Sequence, residues 1–332
     1  MWRETATLAY RGDLHRPTST HAASSQRRES LALAILILGA LAIASSGIFV
    51  RLSQTGPTAT AFWRGILATP FFGLWLLFDR RRSASASDDA PSKTPYGPLF
   101  WAAVCFGLDL LLWHWSLILT SIAASTLEAN LAPLVVTLIA WIVWKQRPSG
   151  KFLIALALAL GGVLLLVSPK LGSPEGSLWG DVLGLATACF YGGYLAIVSR
   201  MRVSINTNVV MFWTSLIYSL LLLPIALTQK FFPDNLHGWT LLLGLSVIVH
   251  VMGQGLVAYA LAHLPATFGS VGLLVQVPAA GFYAWLILGE RFEPVQVIGG
   301  AVVICAIVLA RASSQSKIAV HSESRSFSEK NP

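Results

Sequence analysis

Between Ala266 and Ala310 the chain places two long apolar segments on either side of the short polar turn Gly289-Glu290-Arg291-Phe292-Glu293-Pro294. A helix needs about 20 predominantly apolar residues to cross the hydrocarbon core of a bilayer. Leu273–Leu288 and Val295–Leu309 reach that length once their flanks are counted. The turn between them is too short for anything but a tight antiparallel connection. A chain with this stretch must fold around a transmembrane hairpin.

A weaker copy of the hairpin lies upstream. Shifted by 145 positions, Leu119 falls on Leu264, Ser125 on Ser270 and Pro133 on Pro278. A second register, shifted by 150, lays Phe62-Trp63 on Phe212-Trp213. The difference is absorbed by the connection Arg80–Gly97, which is longer than its counterpart Lys230–His237. One unit is duplicated along the chain.

The rest of the chain is as apolar as the hairpin. Only 11% of residues are charged and the mean hydropathy is +0.66, whereas soluble domains carry about 25% charged residues. Ten spans fit: 31–52, 59–78, 98–119, 122–144, 152–167, 179–198, 209–227, 240–262, 267–289 and 295–311. The fifth is short and borrows from its flanks. This predicts an all-α integral membrane protein of ten transmembrane helices, built as two five-helix repeats over residues 31–168 and 178–311. Residues 1–30 and 312–332 are polar and are expected to be disordered cytoplasmic tails.

Basic residues set the expected orientation. With the N-terminus inside, 18 Lys and Arg fall in cytoplasmic segments and 4 outside, with Arg64 left within a span. The positive-inside rule then puts both termini in the cytoplasm of a cell that carries the protein in its inner or plasma membrane. Five spans per half is an odd number, so the halves must be inverted relative to one another. Inverted repeats are a transporter architecture, with substrate held near the midplane where they meet.

The net charge of +8 lies in tails and connections rather than along one stripe, so no nucleic-acid partner is expected. Cys105, Cys189 and Cys305 all fall in apolar spans and read as small core residues, and neither a metal nor an organic cofactor is expected. The chain has no H-E-x-x-H, G-x-S-x-G or G-x-G-D set for intramembrane catalysis and no phosphate-binding loop for ATP. It is therefore expected not to be an enzyme.

The Phe62-Trp63-Arg64 entry to the second span, the small-residue run Ser121-Ile122-Ala123-Ala124-Ser125 and the Gly289-Glu290-Arg291 turn after Pro278 carry a family likeness. The chain resembles EamA-type ten-helix members of the drug/metabolite transporter superfamily, from Leu31 to Arg311. That resemblance implies a secondary transporter, often an exporter of amino acids, metabolites or drugs, with a cavity lined by spans 1, 3, 4, 6, 8 and 9. A nucleotide-sugar or organic-phosphate carrier, or an importer, stands as the alternative. Where the first repeat of such proteins often reads Gly-Glu-Arg, this chain has Trp144-Lys145-Gln146-Arg147.

Charged and polar residues within spans usually face an interior or a cavity, because they are costly against lipid. Asp109 lies mid-span, and the 145-residue register sets Gln254 opposite it; His250 lies one turn before Gln254 on the same face. Asn130 and Gln276 are polar residues inside spans 4 and 9. Trp113, Trp115 and Tyr191 are the expected aromatic lining, whereas His114 reads as a core residue and Arg64 as a side chain snorkelling to headgroups. Glu128 lies about 9 Å below Ile122 at 1.5 Å per residue, too deep for a short carboxylate to reach water. It is expected to hold a coupling proton or a substrate amine, with Asp109 as its partner. The expected ligand is a small molecule, moved by a proton or solute gradient; the oligomeric state is left open.

Overall fold

The computed structural model describes residues 19–83, 96–119, 122–168, 177–202, 204–288 and 293–328. Among these there are helices and connections, and no strand. The spans are α1 (Ser19–Ala44, continuing as Ser46–Leu52), α2 (Pro57–Ser83), α3 (Tyr96–Leu119), α4 (Ile122–Ala129, then Ala132–Ile142) and α5 (Gly150–Val167). The second half follows as α6 (Leu178–Met201), α7 (Thr207–Ala226), α8 (Leu236–Gly244, Leu245–Gln254, Gly255–Ala260), α9 (Ala266–Gly272, Leu273–Val275, Gln276–Leu288) and α10 (Pro294–Ser328). Eight are long and apolar enough to cross a membrane; α4 and α5 contribute shorter apolar helices.

Local chemistry explains several of the boundaries. Ser149, just after Pro148, accepts a hydrogen bond from Phe152 N and opens α5. Asn235 does the same for Gly238 N at the start of α8. Such caps satisfy backbone donors that a helix N-terminus leaves free. At the exit of α4, Lys145 takes a left-handed φ of 57°, a conformation that glycine adopts without strain.

The packing repeats under exchange of each helix with the one five places on. α1 lies against α8 as α6 lies against α3; α1 touches α9 as α6 touches α4; α2 pairs with α7 and α5 with α10. This exchange pattern is what two inverted five-helix repeats produce. The inner faces are rich in small residues, among them Ala40, Ala61, Ala68, Ala102, Ala103, Ala155, Ala159 and Ala306. Lipid tails are as apolar as leucine, so close approach of backbones, rather than the hydrophobic effect, drives such association. The outside carries large apolar side chains such as Leu74, Phe78, Ile154, Trp285 and Val308, each more than a third exposed.

The α2–α7 pair is tied at both ends. At one end Gln229 Oε1 accepts from Thr58 N at 2.9 Å while Gln229 Nε2 donates to Thr58 Oγ1 at 2.9 Å. At the other, Asn208 Nδ2 donates to Asp79 Oδ2 at 2.7 Å. The 150-residue register that relates Phe62-Trp63 to Phe212-Trp213 also relates Thr58 to Asn208 and Asp79 to Gln229, so the two ties are equivalents. The Thr58 end is reinforced where Gly56 N donates to Lys230 O at 2.8 Å and Trp63 Nε1 to Phe231 O at 2.7 Å.

Three features depart from the sequence reading. Helical structure runs further into both tails than expected, from Ser19 and to Ser328; these stretches contain neither Pro nor Gly, so the helices propagate through them. α4 is not continuous but breaks at Asn130–Leu131. Finally, α8 is π-helical from Leu245 to Gln254. The Gly289-Glu290-Arg291 turn lies outside the described residues.

Candidate substrate-binding site

Five helices bring polar side chains to one buried place. α2 supplies Arg64, α3 supplies Phe106 and Asp109, α6 supplies Tyr191 and Tyr194, α7 supplies Ser215, Tyr218 and Ser219, and α8 supplies Ser246, His250 and Gln254. Arg64 is 2% exposed, and its guanidinium carbon lies 5.9 Å from the centre of the Phe106 ring. Asp109, Tyr191, Tyr194 and Tyr218 lie within electrostatic range of it. Arg64 is thus not snorkelling: α7 and α8 cover its face of α2, and Ser246 Oγ donates to its backbone carbonyl at 2.9 Å.

Aromatic rings hold the cluster together. Phe106 stacks on Tyr194 at 4.5 Å and on His250 at 5.5 Å, while Tyr218 meets both Phe106 and His250 edge-on. His250 Nε2 is hydrogen-bonded to Ser215 Oγ at 2.8 Å. The π-helical stretch of α8 sets the register of His250 and Gln254; such stretches recur at functional sites.

Two buried atoms in this cluster make no hydrogen bond to protein, Arg64 Nε and His250 Nδ1, while Tyr191 lies in hydrogen-bonding reach of Gln254 and Tyr218 of Ser219. A buried polar group left unpaired costs about 1–3 kcal/mol, so this group is suited to water or to a bound solute. It gathers a cation, an acid, an imidazole, an amide and phenols in one buried cluster. At 1.5 Å per residue Arg64 lies about 10 Å from the Pro57 end of α2, and His250 about 20 Å from the Leu236 end of α8. Those two ends are joined by Gln54 and Asn235, so the cluster spans about 10–20 Å below one face.

Of the residues singled out from sequence, Asp109, Gln254, His250 and Tyr191 meet here. Asn130 and Gln276 meet elsewhere: Gln276 Nε2 donates to Asn130 Oδ1 at 3.1 Å, joining the break in α4 to α9 just after its 3-10 turn. Trp113 packs edge-on against His114. Trp115 is 37% exposed and donates to Thr58 Oγ1 at 3.2 Å, at the tied end of α2–α7 rather than in the cluster. His114 is buried, with Nδ1 2.6 Å from Leu110 O. Glu128 stands apart from Asp109. Its carboxyl is within hydrogen-bonding reach of Asp181 on α6, whereas Asp109 faces Arg64. Among the described residues no group of His, Cys, Asp and Glu is arranged to hold a metal ion.

Sequence reasoning read Arg64 as snorkelling, did not select Tyr194, and missed Tyr218 and Ser215. A signal for two of them was present. Thr207, Asn208, Thr214, Ser215, Tyr218 and Ser219 form a polar stripe at helical spacing on α7, and all are buried.

An apolar exterior, an exchange-related pair of five-helix halves and a polar enclosure between them define a membrane transporter. The chain belongs to the EamA-like transporter family, whose model matches residues 30–168 and 178–312. It is 24% identical to the pseudopaline exporter CntI of Pseudomonas aeruginosa over 77% of this chain and 87% of that protein. It is 25% identical to an uncharacterized transporter of Archaeoglobus fulgidus over 84% of this chain and 96% of that one. A chain solved by crystallography shares the fold with a TM-score of 0.67 at 15% identity, covering 85% of this chain and 96% of its own.

Proposed function

We propose that this protein is a secondary active transporter that exports a small metabolite, amino acid or drug-like solute across the cytoplasmic membrane by alternating access. Both termini lie in the cytoplasm in this reading, on the strength of the basic-residue asymmetry. The observation that carries it is the buried set of polar side chains around Arg64, drawn from both five-helix halves, with Arg64 Nε and His250 Nδ1 unpaired. An exporter among the relatives supports the direction of transport. Arg64 supplies one cation to the described cluster and Asp109 lies in its range, a balance that suits a neutral or zwitterionic solute better than a phosphate ester.

The direct test is flux in sealed liposomes. A growth-resistance screen of an overexpressing strain against amino acids and toxic analogues selects the solute. Purified protein is expected to move it down an imposed solute or proton gradient without ATP. Strict dependence on ATP, or flux no greater than that of empty liposomes, contradicts the reading.

Alternating access between inverted halves also assigns a role to α2–α7. Exchanging the halves converts one end state into the other, and converts the Thr58–Gln229 tie into the Asn208–Asp79 tie. Both ties are present together, so neither distinguishes the two states, and the pair acts as a fixed spine. A disulfide between Asp79→Cys and Asn208→Cys, with Cys105, Cys189 and Cys305 replaced, is expected to leave most of the flux intact. Arrest on oxidation, relieved by reductant, contradicts a fixed spine.

A further inference from the structure

Glu128 lies in the last turn of the first α4 segment, and the helix is interrupted at Asn130–Leu131 immediately beyond it. α9 departs from α-helical geometry at Leu273–Val275, which the 145-residue register makes the counterpart of Glu128–Asn130. Irregular helix geometry at matching positions of two inverted halves recurs where transporters hold ions, and a half-helix C-terminus, as at the α4 interruption, favours positive charge.

The surroundings of Glu128 are built to hold its carboxyl. Asp181, in the first turn of α6, is within hydrogen-bonding reach. Gly184, one turn further along α6, leaves the room: a methyl group there would run into the Glu128 carboxylate. Glu128 Oε2 is buried. Ser125, one turn before Glu128 on the same face, is 0% exposed and its Oγ has no hydrogen-bond partner.

We propose that Glu128 and Asp181 together form the proton-coupling site of the transporter, separate from the Arg64 cluster; this rests on the transport reading above. With α4 and α6 in contact the two carboxyls share one proton, the O–H of one donating to a carboxylate oxygen of the other. Release of that proton to water leaves two carboxylates facing one another. Their repulsion loosens the α4–α6 contact, and rebinding a proton restores it. A proton fits better than a metal ion, because two carboxyls within hydrogen-bonding reach need a hydrogen between them, whereas a metal would hold them apart. Among the described residues Asp181 is the charged group facing Glu128 from α6. α5, which packs against this segment, carries only Lys151, at its far end. On α3, Asp109 lies in the range of Arg64 and His114 Nδ1 is engaged with Leu110 O.

The test is infrared spectroscopy of the purified full-length protein, following the carbonyl band of protonated carboxylic acid across a pH titration. Glu128→Gln and Asp181→Asn are each expected to remove the same one-acid amplitude, and the double variant to remove no more. Gly184→Ala, which deletes no acid, is expected to shift the band and keeps the test open if Glu128→Gln fails to fold. Exchange of sodium for choline is expected to leave the band unchanged. Losses that add in the double variant, loss in only one single variant, no loss in either, or a band that follows sodium would each overturn the shared proton. A band that behaves as expected in a protein that moves no solute would leave the shared proton standing and remove the transport reading instead.

Discussion

Replacing Arg64 by alanine is expected to abolish measurable transport. The guanidinium is 2% exposed, over the Phe106 ring and in the range of Asp109 and three tyrosines. Hydrogen bonds to a charged group contribute about 1.5–3 kcal/mol, so losing them weakens solute binding by roughly tenfold to a hundredfold. The substitution also leaves Asp109 buried without its counter-charge, which destabilises by about 3–5 kcal/mol where such a charge stays ionised. These effects separate. Adding Asp109→Asn to the same chain removes the stranded acid, so the double variant is expected to regain thermal stability in detergent while flux in liposomes stays absent. Recovery of flux with stability would reduce Arg64 to a structural partner of Asp109.

The second large effect falls on adjacent glycines with opposite surroundings. A Cβ at Gly162 would lie 2.8 Å from the Gly299 carbonyl and 2.9 Å from Val303 N, where α5 and α10 meet backbone to backbone; at Gly161 it would meet nothing within 4 Å. Gly162→Leu is therefore expected to force α5 from α10, at a cost of about 1–3 kcal/mol or more. A melting temperature lowered by several degrees, or loss of a monodisperse species, is the expected reading. Gly161→Leu, on the exposed side of the same helix turn, is expected to melt at or above the parent temperature, since replacing a mid-helix glycine removes backbone entropy from the unfolded chain. Equal damage from both substitutions would mean that the α5–α10 approach is looser than the structure shows.

The architecture was legible because its signals are periodic and long: apolar runs sized to a bilayer, and a repeated register that aligned Pro133 with Pro278. What the sequence did not disclose depends on neighbours distant in the chain. The burial of Arg64 follows from α7 and α8 closing over one face of α2, and its position near a span end gave no hint of this. The π-helical register of α8 is set by tertiary packing, so the common face of His250 and Gln254 was visible but their aromatic surroundings were not. Asn130 and Gln276 stood out as polar residues in spans, yet their pairing appears only once α4 breaks. Asp181 sits in the first turn of its helix, where an acid is unremarkable by sequence, and its meeting with Glu128 displaces Asp109 from that role. Trp115 was expected to line the cavity, but its indole N–H donates to Thr58 instead.

The central claim is that the Arg64 cluster opens alternately to the two sides of the membrane. The most direct measurement is thiol labelling of Gln254→Cys, in a chain with Cys105, Cys189 and Cys305 replaced, by a membrane-impermeant reagent applied to right-side-out and to inside-out vesicles. Gln254 is 3% exposed and lies in the cluster beside Tyr191, so a thiol there reports entry to the site without relying on flux. Labelling from both sides, reduced on both by the transported solute, is the predicted result. Labelling from one side only, or from neither, would contradict alternating access to this site.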